Sequence, residues 1–166
     1  MSTLIFNANE VFDIAKRIER NGAAFYKAAA DVVTDDTSKK IMNDLREMEV
    51  HHETIFSSMQ KELSGAETEE TLYDPHDEAF QFLKGMAEKY VFSQSEDPEQ
   101  AIPPGATVVD VIQEGIRREQ DSIVFYEGIK VMVPEKYGRS HIDEIIAQEM
   151  GHLMLLTQEL DRVQKK

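Results

Sequence analysis

The sequence predicts an all-α protein. One domain spans residues 1–166, built as an antiparallel four-helix bundle with a long crossover, itself carrying a short helix, between the second and third helices. Three observations lead there. Apolar residues recur at helical spacing in four long stretches, while Trp is absent and period-two alternation is scarce. A short polar turn joins the first two stretches and another joins the last two, with residues 64–106 between the pairs. The chain also repeats itself. Sliding it by 100 positions lays Val11 on Val111, Arg17 on Arg117, Glu19 on Glu119, Phe25 and Tyr26 on Phe125 and Tyr126, Glu49 on Glu149 and His52 on His152, without a gap. Two long copies of this kind suggest two helical hairpins about an approximate two-fold axis, whereas a solenoid would show more and shorter ones.

In the first helix Asn7 or Asn9 can serve as the cap. Phe12, Ala15, Ile18, Glu19, Gly22, Phe25, Tyr26, Ala29 and Val33 form its stripe, and Glu19 is the anomaly within it. The polar run at 34–38 ends this helix and caps the next. The second helix is expected over about 39–63, with Ile41, Leu45, Met48, Glu49, His52, Ile55, Phe56, Met59 and Leu63 on its buried side and Gly65 as its C-terminal cap. Within 64–106, residues 65–77 and 94–106 are polar and hold Pro75, Pro98, Pro103 and Pro104, while 78–92 reads as a short amphipathic helix. Thr107 with Asp110 makes a capping-box pattern for the third helix, whose stripe is Val108, Val111, Ile112, Gly115, Glu119, Ser122, Phe125, Tyr126, Ile129 and Val133. Pro134 and Gly138 mark a turn. Ser140 is the expected cap of the fourth helix, with Ile142, Ile145, Ile146, Glu149, His152, Leu153, Leu156 and Leu160 inward. The short turns make neighbours antiparallel, and the crossover lets the third helix start from the other end.

Composition narrows the function. The chain carries 32 acidic and 18 basic residues, a formal charge of −14, which argues against a nucleic-acid surface and favours attraction of cations. With no Cys there can be no disulfide, zinc knuckle, iron–sulfur cluster or thiolate nucleophile. No signal-peptide pattern opens the sequence, and no stretch approaches the roughly 20 apolar residues of a membrane span. A cytoplasmic protein with no membrane partner is expected.

The inward polar residues carry the chemistry. Residues i and i+3 share a helix face, so Glu49 with His52, and Glu149 with His152, can each reach one metal ion together. Glu19 and Glu119 add a carboxylate from each of the other two helices. Four Glu and two His are the ligand set of carboxylate-bridged dimetal bundles. Two divalent cations would balance four ionised Glu, which a dry core could not easily accept bare. Oxygen-rich sites with imidazole suit Fe or Mn, although Zn and Co can occupy them. Two Fe ions per chain are expected, bridged by Glu49 and Glu149, with Glu19 and Glu119 terminal and His52 and His152 each on one metal.

Blander readings compete at each point. A lone Glu-x-x-His is usually solvated, but two such pairs, each matched to an inward Glu 30 residues upstream, are not explained that way. A metal-free structural bundle leaves four inward Glu without a purpose. Tyr26 and Tyr126 fall two turns from Glu19 and Glu119. They are either core residues whose hydroxyls bond a buried carboxylate or catalytic groups passing a proton or an electron to the metals. His51 points about 100° away from His52 and belongs on the surface, as does His141. His76 reads as a turn residue, and Met48, Met59 and Met150 as core filler.

At Ile18-Glu19-x-x-Gly22-x-x-Phe25-Tyr26, Glu49-x-x-His52, Glu119 with Phe125-Tyr126, and Glu149-x-x-His152, the sequence resembles the ferritin-like superfamily and, within it, the rubrerythrins. The resemblance covers about residues 9–64 and 107–164 and leaves the crossover without a motif. It implies a ferritin-like bundle with a non-haem di-iron centre that reduces hydrogen peroxide or dioxygen, and often a homodimer. The electrons would come from an external donor such as a rubredoxin. Relatives oxidise Fe(II), store iron or hydroxylate substrates, so ferroxidase action or metal sequestration is the alternative. Two departures stand out. The Cys-bound iron domain of rubrerythrins is missing, and Ser122 stands where they tend to carry an extra Glu.

Overall fold

The computed structural model describes residues 8–65, 81–83, 85, 102–133 and 135–165. Among these residues the long elements are all helices: α1 (Ala8–Val32), α2 (Asp36–Gly65), α3 (Val108–Met132) and α4 (Arg139–Gln164), with a 3-10 turn at Glu135–Tyr137 and no strand.

Local chemistry sets the ends. Asn9 lies inside α1 rather than capping it, and Asn7 is outside the described residues. The Asp35 carboxylate accepts from the Ser38 backbone N–H at 3.1 Å, so α2 starts at Asp36, three residues before the expected position. Gly65 is the last helical residue of α2 and does not stand beyond it as a cap. At α3 the expected capping box is present. Asp110 N–H donates to Thr107 Oγ1 at 3.2 Å, and Thr107 N–H donates to Asp110 Oδ2 at 2.8 Å. Ser140 does not cap α4. Gly138 takes the N-cap position at φ +90°, a conformation glycine adopts without steric cost, and Arg139 already opens the helix.

Side-chain pairs trace two helical hairpins. Between α1 and α2, Arg20 meets Glu53 at 2.5 Å and Lys16 meets Gln60 at 2.5 Å, so partners fall on one helix as they rise on the other. Between α3 and α4, Lys130 meets Asp143 at 2.5 Å, and Gly115 lies against Leu156. The hairpins pack bundle-like around two apolar clusters. One contains Phe12, Ile18, Phe56, Met59, Phe125 and Ile145, the other Phe25, Ala29, Met42, Leu45, Ile112 and Leu156. Each draws on all four helices. Burying one such large side chain contributes about 1.5–3 kcal/mol, and this offsets the polar layer described below.

Most inward positions fall where the periodicity predicts, with exceptions. Met42 and Glu159 are buried without having been expected inside, and Met150 is exposed, not core filler. Its neighbour Glu149 occupies the inward direction, which turns residue 150 about 100° towards solvent. Of the expected crossover helix, residues 81–83 are helical; Leu83 is buried, and Phe82 packs where a Cβ on Gly128 would collide with its ring. Gly85 is helical too, while the other residues of 78–92, and His76, lie outside the described residues. Among the described residues no helix is long and apolar enough to cross a membrane.

Candidate metal centre

Along each helix the polar layer sits between the two apolar clusters. Glu19 lies between Ile18 and Phe25, Glu49 and His52 between Leu45 and Phe56, Glu119 between Ile112 and Phe125, and Glu149 and His152 between Ile146 and Leu156. All six are at most 4% exposed, a degree of burial that charged residues almost never show without a partner. They form two overlapping groups, Glu19–Glu49–His52–Glu149 and Glu49–Glu119–Glu149–His152. In each, one donor atom per residue lies within 4.8 Å of the others, so each group can hold a metal ion. Glu49 and Glu149 belong to both.

Both imidazoles turn Nδ1 inward. His52 Nδ1 is 3.1 Å from Glu149 Oε1 and 3.4 Å from Glu19 Oε2. His152 Nδ1 is 2.9 Å from Glu149 Oε2, 3.4 Å from Glu119 Oε2 and 3.6 Å from Glu49 Oε1. The two rings stack, with centroids 5.6 Å apart and planes inclined by 19°. Among the described residues, the buried side-chain N and O atoms without a hydrogen-bond partner are Asn21 Nδ2 and six atoms of this cluster: Glu19 Oε2, Glu49 Oε1, both Glu149 oxygens, and Nδ1 of His52 and of His152. Orphaned buried donors and acceptors cost about 1–3 kcal/mol each, and a cation at their convergence would satisfy them together. The residues present therefore fit a dimetal centre.

Without a cation the layer sheds charge by taking up protons. Burial, reinforced by the Glu149 charge, pushes Glu19 far above the usual carboxylate range, and burial with the Glu19 and Glu149 charges does the same to Glu49. Burial lifts Glu119 to about 8, against the pull of the His152 imidazole 3.4 Å away. Glu149 goes the other way. Burial opposes its ionisation, but the His152 and His52 imidazoles beside it, at 2.9 and 3.1 Å, together outweigh it and hold the carboxylate charged. Burial opposes protonation of the imidazoles as well, but the Glu149 carboxylate beside His52 raises it to about 8, and Glu119 with Glu149 beside His152 raises it to about 10.

The surroundings are built across the hairpins. Tyr26 on α1 donates its hydroxyl to Glu119 on α3, and Tyr126 on α3 donates to Glu19 on α1. Each phenol thus holds the carboxylate of the opposite hairpin, not the one on its own helix. Burial, with the neighbouring carboxylates, keeps both phenols protonated far above their ordinary range. The outer imidazole nitrogens also reach across. His52 Nε2 meets Gln148 Oε1 at 3.0 Å, and His152 Nε2 lies 3.3 Å from Met48 Sδ. The sequence pattern did not single out Met48 or Gln148 as outer partners. The signal was there: Met48 and Gln148 lie one turn before the two His and overlay at the 100-residue shift. Gly22 gives Glu49 its room, since a Cβ there would lie 2.5 Å from Glu49 Oε2. His51 and His141 are exposed, as expected.

No protein-family model, characterised protein or solved structure matches this chain. The chemistry of the site rests on its own geometry.

Proposed function

We propose that the protein is a non-haem di-iron oxidoreductase of rubrerythrin type, folded as an antiparallel, ferritin-like four-helix bundle. It would reduce hydrogen peroxide or dioxygen with electrons from an external donor such as a rubredoxin. One observation carries this reading: a duplicated Glu plus Glu-x-x-His set whose buried donor atoms converge and lack other partners. Glu49 and Glu149, common to both groups, would be shared by the two metals, with Glu19 and His52 completing one position and Glu119 and His152 the other, each imidazole through Nδ1.

Two bound irons would supply Lewis acidity and one electron apiece, while the protein sets geometry and dryness. Reducing one peroxide to two waters takes two electrons and two protons. The apolar clusters on either side of the layer exclude bulk water. Tyr26 and Tyr126 orient the terminal carboxylates and carry the nearest hydroxyl protons, which makes them the candidate proton donors. No Cys in these 166 residues can hold an iron that donates electrons, and Ser122 leaves the place of an extra carboxylate unfilled. These two features favour a second reading, iron oxidation or metal sequestration.

The test is metal analysis after expression in iron-rich medium, followed by stopped-flow addition of peroxide and of dioxygen to the reduced protein. Two irons per chain and fast oxidation by peroxide are expected. Fewer than one metal per chain removes the centre. Two irons that respond to dioxygen and barely to peroxide select ferroxidase action.

A further inference from the structure

The six candidate ligands repeat between the two halves, but the groups behind the imidazoles do not. We propose that the two metal positions are unequal, with the Glu19–Glu49–His52–Glu149 position the tighter, because Gln148 supports His52 while only a thioether, Met48, supports His152. This inference rests on the metal-binding reading above and concerns how that centre fills.

The chemistry follows from the outer atoms. A carbonyl oxygen only accepts, so the 3.0 Å contact between His52 Nε2 and Gln148 Oε1 requires a hydrogen on Nε2. That leaves the Nδ1 lone pair free on the side where Glu19 and Glu149 present their oxygens. A hydrogen-bonded acceptor behind a ligating imidazole fixes its tautomer and orientation and raises its basicity, and loss of such a partner costs roughly 10–100-fold in metal affinity. Behind His152 Nε2 stands Met48 Sδ at 3.3 Å, a weak acceptor that holds neither tautomer nor orientation firmly.

The ligand types and their tyrosine supports are matched at the two positions, which sets this difference apart. Each has one terminal Glu held by a Tyr from the opposite hairpin, and each shares Glu49 and Glu149. The rings stack on one another, with centroids 5.6 Å apart. Met48 and Gln148 occupy the same register, one turn before the two His, so exchanging them exchanges only the outer support. Gln148 is thus a positioning residue for His52. The position at His152 is the one that fills last, exchanges first and accepts a different metal most readily.

The experiment is a Co(II) titration of chelator-stripped protein, followed by calorimetry and by the absorption of the bound metal, with helicity checked by circular dichroism. The wild type should show two steps at least about 10-fold apart. Gln148→Met should weaken the first step about 10-fold and leave the second. Met48→Gln should tighten the second and close the gap from the other side. Gln148→Glu keeps an acceptor and should retain the tight step, which separates loss of support from loss of fold. Two equal steps in the wild type, or a gap untouched by both exchanges, overturn the inequality while the centre stands. No Co(II) binding in the wild type overturns the centre itself.

Discussion

Ser38 and Gly138 stand 100 positions apart at the starts of α2 and α4, and the two ends of the molecule are closed in opposite ways. Ser38 is buried and donates its hydroxyl to the buried Glu159. The Arg162 guanidinium then joins Glu159 at 2.6 Å, Asp35 at 2.5 Å and Ser38 Oγ at 3.2 Å. At the other end the counterparts of Glu159 and Arg162 are Met59 and Glu62, and Gly138 packs so that a Cβ would lie 3.3 Å from Met59 Cε. One end holds a buried charged clasp, and at the other the equivalent residues Gly138 and Met59 make apolar contact. Between them the six inward polar residues repeat without change. The difference teaches that donor type is demanded only where donor atoms must converge. An end needs its buried groups satisfied, and hydrogen bonds or apolar packing do that equally well.

The largest test of this equivalence removes both shared carboxylates. Glu49→Ala with Glu149→Ala takes two of four donors from each position, and metal analysis should find less than one metal per chain. Two retained metals would break the assignment of these residues as bridges.

The next effect sharpens an inequality between the halves, since Glu149 is held charged while Glu119 and Glu49 are pushed up. Folding the chelator-stripped chain brings Glu119 from the ordinary value of 4.5 to about 8, His52 from 6.5 to about 8 and His152 from 6.5 to about 10. A raised folded pKa gives stability that is present below the unfolded value and lost as pH rises through the folded one. Glu149, whose pKa is lowered, gives stability lost only in acid and changes nothing between pH 6 and 9. Stripped protein should therefore melt at least about 2–4 °C lower at pH 9 than at pH 6, the equivalent of about 1 kcal/mol at this chain length. Metal loading, which needs deprotonated ligands, should improve over the same interval. A melting point that rises with pH in stripped protein would contradict this account of the polar layer.

Smaller changes address the crossing of the hairpins. Tyr26→Phe removes the hydroxyl from Glu119 and should weaken the His152 position by about 10-fold, the effect of losing about 1–2 kcal/mol of hydrogen bonding to a buried group. Tyr126→Phe should do the same to the His52 position through Glu19. If each substitution instead weakened the position on its own helix, the crossed pairing would be wrong. Gly22→Ala forces a Cβ against the Glu49 carboxylate and should lower metal affinity. Its counterpart Ser122→Ala should stay within about 0.5 kcal/mol of wild type in thermal melts. Ser38→Ala, at the clasped end, should cost about 1 kcal/mol by the same measurement, with metal binding intact.

The four helices and the inward placement of Glu19, Glu49, His52, Glu119, Glu149 and His152 were legible from spacing along the chain. Helical period and i,i+3 spacing are local geometry, and a charged residue inside an apolar stripe is visible without any tertiary contact. Caps were legible where both partners lie in the same turn, as at Thr107 and Asp110. They were not legible at Gly138, where a positive φ, not a side chain, starts the helix. The tertiary structure alone decided that Tyr26 meets Glu119, that Tyr126 meets Glu19, that Gln148 and Met48 stand behind different imidazoles, and that Arg162 closes on Asp35. Each of these pairs joins different helices, or in the last case a helix and the turn between two others. Their meeting depends on the axial stagger and rotation of one helix against another, which is set by the interlocking of whole side-chain surfaces and has no signature in the spacing along a single helix.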